Sequence, residues 1–332
     1  MARLFSVLGD SISTFAGAVP AGFAVFYEGE RRTASGVLSV RDTWWDQVIR
    51  HFGGEVLACG AWSGSMVAGA GFPAGESFGR ASALACGGRA PDDVLVYFGT
   101  NDYGWGSPHA QAAARASAVP RCLCGVDLPK PDVAGVAPAD AARAFGEAYA
   151  RMLSNVRAAF PAARVWCCAL VPGRVRGSER STFPWTFRGV SFSSYNEAIR
   201  AAAEAAGYAF CDLAAWGFDY EGVEGTHPTA LGMRQLAWMV ERCLERAGEA
   251  PGAKTDPASM REYPGGAAFL ADDPCDVPGR ACVGCPYALD TGNSWMHVCL
   301  RREAALSEAG AHIAWPYPPS STAERDRPPT RL

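Results

Sequence analysis

Residues 4–11, with the sequence LFSVLGDS, decide the fold of this chain. Apolar residues followed by a Gly-Asp-Ser turn predict a short buried strand that ends near residue 8. Comparable apolar runs recur at 55–59, 94–98, 165–170 and 208–211. Helical stretches separate these runs, and strands that alternate with helices form a parallel sheet covered on both faces. The sequence therefore predicts an α/β fold.

The predicted helices lie between the strands and after the last of them. Their approximate ranges are 41–52, 79–86, 138–160, 193–206 and 229–247. In parallel sheets of this kind, functional groups gather at the carboxyl ends of the strands. Reactive side chains are therefore expected immediately after the predicted strands.

Composition limits the function classes. Of the 332 residues, 49% are apolar and 19% are charged, which allows a substantial core. The net charge is −4 and no basic stripe is present, which argues against a nucleic-acid partner. The N-terminal apolar run is too short for a signal peptide, and no run is long enough to span a membrane. We therefore expect a cytoplasmic protein whose 12 cysteines are mostly reduced.

Three polar blocks follow predicted strands or precede a predicted helix. They are Gly9-Asp10-Ser11, Gly99-Thr100-Asn101-Asp102 and the block from Glu224 to Pro228, which contains His227. Each block alone has a structural explanation, because Ser, Asn and Asp favour caps and turns and a lone histidine is usually structural. Together, they supply a hydroxyl, an amide donor and a carboxylate three residues before an imidazole. This set matches what a hydroxyl nucleophile requires.

These blocks, in this order, resemble the signatures of the SGNH (GDSL-type) hydrolases over residues 3–247. A further block, Ala61-Trp62-Ser63-Gly64-Ser65, is similar to the family's glycine-bearing loop. This block and Thr43-Trp44-Trp45 also resemble a bacterial subgroup of esterase-like proteins. The resemblance implies a three-layer α/β/α sandwich with a flavodoxin-like five-stranded sheet in the order 2-1-3-4-5.

The resemblance also implies site residues. Ser11 would be the nucleophile and His227 its general base, while the amides of Ser11 and Gly64 and the side chain of Asn101 would form the oxyanion hole. Asp10 and Asp102 would support them. No catalytic cofactor is implied.

Three carboxylates are candidates for orienting His227. The family usually has Asp three residues before the histidine, whereas this chain has Glu224. Glutamate keeps the charge and adds one methylene, so we favour Glu224. Asp212 and Asp219 are the rivals, and some such enzymes use a Ser–His dyad.

Residues 75–79 (GESFG) match the G-x-S-x-G pattern of α/β-hydrolases. That motif requires a strand before the serine. The preceding residues are rich in Gly, Ala and Pro, so we interpret this match as coincidental.

The C-terminal part is predicted to differ from the rest. We expect a hydrolase domain over 1–250, a linker and Cys-rich module over 251–312, and a disordered tail over 313–332. In the module, four cysteines could hold a structural zinc, and free or paired thiols or an iron–sulfur cluster are the alternatives. The four residues are Cys275, Cys282, Cys285 and Cys299.

The predicted function is hydrolysis of a short acyl ester, with acetyl on a carbohydrate favoured. Tryptophans that could stack on sugar rings support this substrate: Trp44, Trp45, Trp62, Trp105 and Trp185. The long connection over 103–137 is either a lid or an insertion. The alternatives are a lipase or thioesterase, and an inactive scaffold whose cysteine module recruits a partner.

Overall fold

The computed structural model describes residues 2–69, 71–105, 138–176, 186–187 and 190–249. It also describes the short strands Arg261–Glu262, Ala288–Asp290 and His297–Cys299. The remainder of the predicted cysteine module and the predicted tail lie outside these residues, and so does the long connection from residue 106 to residue 137.

In the described part of the chain, helices separate the first four strands, and three short strands then precede the next helix. In chain order, the strands are β1 (Leu4–Gly9), β2 (Glu55–Cys59), β3 (Asp93–Tyr97), β4 (Arg164–Cys168), β5 (Gly173–Val175), β6 (Thr186–Phe187), β7 (Val190–Ser191), β8 (Ala209–Cys211), β9 (Phe218–Gly222), β10 (Arg261–Glu262), β11 (Ala288–Asp290) and β12 (His297–Cys299). The α-helices are α1 (Gly29–Ser35), α2 (Trp44–His51), α3 (Phe78–Ser82), α4 (Thr100–Trp105), α5 (Pro138–Ala159), α6 (Phe192–Ala205) and α7 (Ala230–Arg246). Within the described residues, single 3₁₀ turns occupy Ser11–Ser13, Val40–Asp42 and Ala214–Trp216.

The main sheet has five parallel strands in the order β2-β1-β3-β4-β8. This is the predicted order 2-1-3-4-5, and helices flank the sheet, so the predicted α/β sandwich is confirmed. All five residues of β3 are buried, and so are five of the six residues of β1. The central strands therefore bring residues 10 and 100–102 to the same edge, because β1 and β3 are parallel neighbours.

The helix predicted over 41–52 is divided in the structure. A 3₁₀ turn at Val40–Asp42 is followed by α2, and Thr43 between them has an extended backbone. The Thr43 side chain accepts a hydrogen bond from the amide of Asp46, so this residue serves as the N-cap of α2. The predicted helix at 79–86 is also shorter, because α3 ends at Ser82.

Helix α2 fixes the turn that follows β1. Trp44 and Trp45 are fully buried. The indole N–H of Trp44 donates to Ser13 Oγ at 3.1 Å, and that of Trp45 donates to the Ser13 carbonyl at 2.9 Å. These tryptophans therefore hold the end of the Ser11–Ser13 turn in place and are not available to stack on a ligand.

A second, smaller sheet supports the loop before α7. Its order is β10-β9-β5, and β10 comes from the predicted linker. A Cβ atom at Gly173 would lie 1.8 Å from the carbonyl oxygen of Gly225, so the loop packs against β5 at a distance that only glycine permits. This contact sets the position of the residues between Gly222 and Thr229.

Among the residues that the structure describes, no helix has the length and apolar composition to cross a membrane.

Candidate active site

Ser11 lies directly beyond the carboxyl end of β1. The chain turns there into the 3₁₀ turn, and Asp10 caps this turn by accepting the Ile12 amide at 3.0 Å. The Ser11 carbonyl accepts hydrogen bonds from the hydroxyl of Thr14 at 2.9 Å and from the Thr14 amide at 3.3 Å. The backbone on both sides of the Ser11 side chain is therefore fixed.

His227 meets Ser11 across 216 positions of sequence. Its Nε2 atom lies 2.8 Å from Ser11 Oγ, which is hydrogen-bonding distance. The loop that carries His227 is closed by two hydrogen bonds, from the Val223 amide to the His227 carbonyl at 2.8 Å and from the Tyr220 hydroxyl to the Thr226 carbonyl at 2.7 Å. The fold thus brings the two sequence-predicted residues into contact.

Glu224 is the carboxylate that contacts His227. Its Oε1 atom is hydrogen-bonded to the Nδ1 of His227 and accepts the His227 backbone amide at 3.2 Å. The two rivals lie elsewhere: Asp212 pairs with Arg200 and Asp219 pairs with Arg174. The extra methylene of glutamate therefore does not prevent the contact with His227.

The Gly64 loop is attached to the end of β1. The Trp62 amide donates to the Gly9 carbonyl at 3.1 Å, and Gly64 adopts a left-handed conformation with φ of 74°. Asn101, in the first turn of α4, donates through Nδ2 to the Ser65 carbonyl at 2.8 Å. Within the described residues, the amides of Ser11 and Gly64 have no hydrogen-bond acceptor.

Asp102 fastens the continuation of this loop. Its two carboxylate oxygens accept the amides of Val67 at 2.8 Å and of Ala68 at 3.0 Å. Burial raises the pKa of Asp102 to about 7, although these two hydrogen bonds favour the charged form. The role of this residue is to hold the loop against α4.

Two further buried ionisable groups lie behind Ser11. Burial raises the pKa of Asp10 to about 6, and attraction to His227 and Arg80 opposes that shift. The Arg80 guanidinium is fully buried and donates to the carbonyls of Pro73 at 2.6 Å and Gly9 at 2.7 Å. Burial lowers the pKa of Arg80 to about 9. Sequence reasoning missed Arg80, because a single arginine in a short helix carries no pattern that marks it as buried.

The GESFG segment does not form a nucleophile elbow. Ser77 is the residue before α3, and residues 71–77 that precede the helix form turns rather than a strand. No described contact joins Ser77 to a histidine. The strand–turn–helix arrangement that the motif requires is therefore missing at this position.

The hypothesis of a zinc site mostly concerns residues that the structure does not describe. Cys275, Cys282 and Cys285 lie outside the described residues, and of Cys299 only the backbone is described, in β12. Elsewhere in the described part of the chain, no group of three His, Cys, Asp or Glu side chains is arranged to hold a metal ion.

The Ser11, His227 and Glu224 side chains form a continuous hydrogen-bonded series. An imidazole that contacts a hydroxyl through one nitrogen and a carboxylate through the other can accept the hydroxyl proton and remain correctly oriented. The geometry thus suits nucleophilic attack by a serine hydroxyl.

Comparisons with known proteins show what this chain is similar to. Residues 3–118 match the family model described as GDSL-like Lipase/Acylhydrolase. No curated protein matches the sequence. A solved Bacteroides ovatus protein described as a GDSL-like lipase is 21% identical with a TM-score of 0.48, covering 74% of this chain and 99% of that one.

Two other solved structures are similar at lower TM-scores. A Corynascus thermopiles carbohydrate esterase family 2 enzyme with a carbohydrate-binding domain is 16% identical, with a TM-score of 0.42, covering 74% of this chain and 67% of that one. TesA is 17% identical, with a TM-score of 0.42, covering 74% of this chain and 99% of that one. Residues 3–118 of this chain are therefore similar to the GDSL-like lipases and acylhydrolases.

Proposed function

We propose that this protein is a serine esterase that works through an acyl-enzyme on Ser11, with His227 as general base and Glu224 as the residue that orients it. The observation that supports the proposal best is the 2.8 Å contact between Ser11 Oγ and His227 Nε2. The contact of Glu224 with the opposite ring nitrogen favours the tautomer of the neutral imidazole in which Nε2 can accept the serine proton.

The reaction proceeds in two steps, acylation of Ser11 and hydrolysis of the acyl-enzyme. Ser11 Oγ forms a bond to the acyl carbon while its proton moves to His227 Nε2, and the carbonyl electron pair moves onto oxygen. When this pair returns, the bond to the alcohol oxygen breaks and the alcohol takes the proton from Nε2. A water molecule then attacks the acyl carbon while one of its protons moves to His227 Nε2. The bond between the acyl carbon and Ser11 Oγ breaks, Oγ takes this proton, and the acid is released. Neither step requires a cofactor.

Three donors are available for the oxyanion. The amides of Ser11 and Gly64 have no acceptor in the described residues, and Asn101 Nδ2 has a second hydrogen beyond the one given to Ser65. Donors that are held in place before the reaction stabilise the developing charge without reorganisation. The contact to Ser65 and the capping of the loop by Asp102 supply that rigidity.

The proposed substrate is a short acyl ester, with acetyl on a carbohydrate preferred. Phe72, which is 47% exposed, contacts Phe23 and Trp62 with ring centroids 5.6 and 5.1 Å away. Trp62 lies two residues before Gly64, so the exposed Phe72 ring belongs to an aromatic cluster attached to the loop that carries this oxyanion donor. The apolar face of a sugar ring packs well against such a surface. The buried Trp44 and Trp45 do not support sugar stacking, and the side chains of Trp105 and Trp185 are not described.

Hydrolysis of p-nitrophenyl acetate, butyrate and octanoate by the wild type, Ser11→Ala and His227→Ala tests this function. We expect activity on acetate that exceeds activity on octanoate and disappears in both variants. Acetyl esters of xylose and glucose then test the carbohydrate preference. Preference for octanoate would instead support the lipase or thioesterase alternative. Folded wild-type protein that hydrolyses none of these esters would contradict the proposal.

A further inference from the structure

Phe26 stacks on the imidazole of His227. The two ring centroids are 3.5 Å apart and the ring planes differ by 4°. Phe26 is almost completely buried, at 2% exposure. Its ring therefore covers one face of the imidazole at van der Waals distance.

The backbone around Phe26 connects the serine to the histidine. The Phe26 amide donates to Thr14 Oγ1 at 2.9 Å, and the same hydroxyl donates to the Ser11 carbonyl. The next residue, Tyr27, donates from its hydroxyl to the Pro228 carbonyl at 2.9 Å, immediately after His227. Phe26 and Tyr27 thus form hydrogen bonds to the chain shortly after Ser11 and immediately after His227.

The stacking geometry suits a charged imidazole better than a neutral one. Neutral aromatic rings prefer offset or edge-to-face arrangements, because their faces carry the same partial charge. A cation over a ring face is attracted by that charge. His227 becomes a cation when it accepts the Ser11 proton, so the attraction to Phe26 is greater in the transition state than in the resting enzyme.

We propose that Phe26 is a positioning residue that holds the His227 ring plane and stabilises the imidazolium formed during acylation. This inference rests on the proposed serine esterase function. The guanidinium carbon of Arg31 lies 5.3 Å from the centroid of the same Phe26 ring and contributes to holding it in place. Since Phe26 acts on His227 and not on the substrate, its loss should lower kcat and leave KM nearly unchanged.

Fluorinated phenylalanines at position 26 provide the test, because each fluorine withdraws electron density from the ring face with little change in its shape. Steady-state hydrolysis of p-nitrophenyl acetate is measured for one, two and three fluorines and for Phe26→Leu. We expect kcat to fall progressively with fluorine number, by about 2- to 30-fold at the end of the series, from the known strength of cation–π contacts. KM should change by less than about twofold, as for other changes confined to the transition state.

Phe15 is the matched control. It is a buried phenylalanine four residues after Ser11 with the Arg32 guanidinium carbon 4.8 Å from its ring centroid. The described ring contact of His227 is with Phe26 and not with Phe15. The same fluorinated series at position 15 should leave kcat unchanged.

If Phe26→Leu does not fold, the fluorinated series at position 26 alone tests the role of Phe26. A flat kcat across that series, or a parallel fall at both positions, would overturn the role of Phe26 while the wild-type activity keeps the proposed function intact. An inactive wild type would overturn both.

Discussion

Replacement of Glu224 by glutamine is the most informative test of the histidine's orientation. The carboxylate is buried, and its Oε1 accepts from both Nδ1 and the backbone amide of His227. Glutamine keeps the size and one acceptor oxygen but removes the charge. Removing one partner of a buried ion pair costs about 3–5 kcal/mol. Because the imidazolium of His227 forms as the transition state is reached, the loss of its partner raises the activation barrier. This loss corresponds to a fall in kcat of about 10²- to 10⁴-fold.

The assay is stopped-flow hydrolysis of p-nitrophenyl acetate, which separates acylation from deacylation. We expect both rates to fall in Glu224→Gln, with KM nearly constant, because the carboxylate does not contact the substrate. Glu224→Asp should have an intermediate rate, since the shorter side chain retains the charge and loses reach. Asp212→Asn is the matched control: Asp212 pairs with Arg200 at the surface, so its rate should equal that of the wild type.

A kcat within about threefold of the wild type in folded Glu224→Gln would refute this reasoning, because the lost pair is worth far more. Such a result would favour a Ser–His dyad, in which a backbone carbonyl orients the histidine. Circular dichroism and thermal melting establish that the variant is folded.

Three other substitutions have defined outcomes. Asn101→Ala should lower kcat by about 10²- to 10³-fold without unfolding the protein, because it removes one oxyanion donor. The melting temperature should fall modestly, because the Ser65 carbonyl loses its hydrogen-bond donor. Asp102→Asn should change the pH dependence of stability. The native pKa of Asp102 is raised from 3.8 to about 7, so between these pH values the native state binds a proton that the unfolded state has lost. As the pH rises from about 4 to about 7, the free energy of unfolding of the wild type should therefore fall relative to that of the variant, as measured by urea unfolding. Arg80→Met should lower the free energy of unfolding by about 1–3 kcal/mol, because the Pro73 carbonyl loses its partner, and thermal melting measures this change.

The strands of the main sheet were predictable from their apolar runs: the central strands β1, β3 and β4 are almost entirely buried, whereas the edge strands β2 and β8 are partly exposed. Each is a continuous apolar run, and each begins and ends within two residues of its prediction. Ser11, Asn101 and His227 were predictable for a related reason. They follow strands or precede a helix, where the fold requires the chain to turn and where polar residues stand out against apolar neighbours.

Other elements leave no such pattern. Helix α1, with the sequence GERRTAS, has no apolar face, and only Ser35 within it is buried. Strand β9 contains an Asp and a Glu and pairs with short strands far away in sequence, so no local periodicity predicts the second sheet. The stack of Phe26 on His227 joins residues 26 and 227, and only the folded chain brings them together.

The choice among the three carboxylates also required the structure. Glu224, Asp212 and Asp219 lie within 15 residues of His227, so the sequence permits a contact between the histidine and any of the three. Arg200 and Arg174, which pair with the two aspartates, come from α6 and β5. These partners belong to distant segments, so the sequence alone could not exclude the aspartates.

The nucleophilic role of Ser11 is tested most directly by a fluorophosphonate probe followed by peptide mass spectrometry. We expect one adduct per chain, on the peptide that contains Ser11, with labelling abolished in Ser11→Ala and much slower in His227→Ala. An adduct on another residue, such as Ser77, or well-folded wild-type protein that remains unlabelled, would contradict the assignment of Ser11 as the nucleophile.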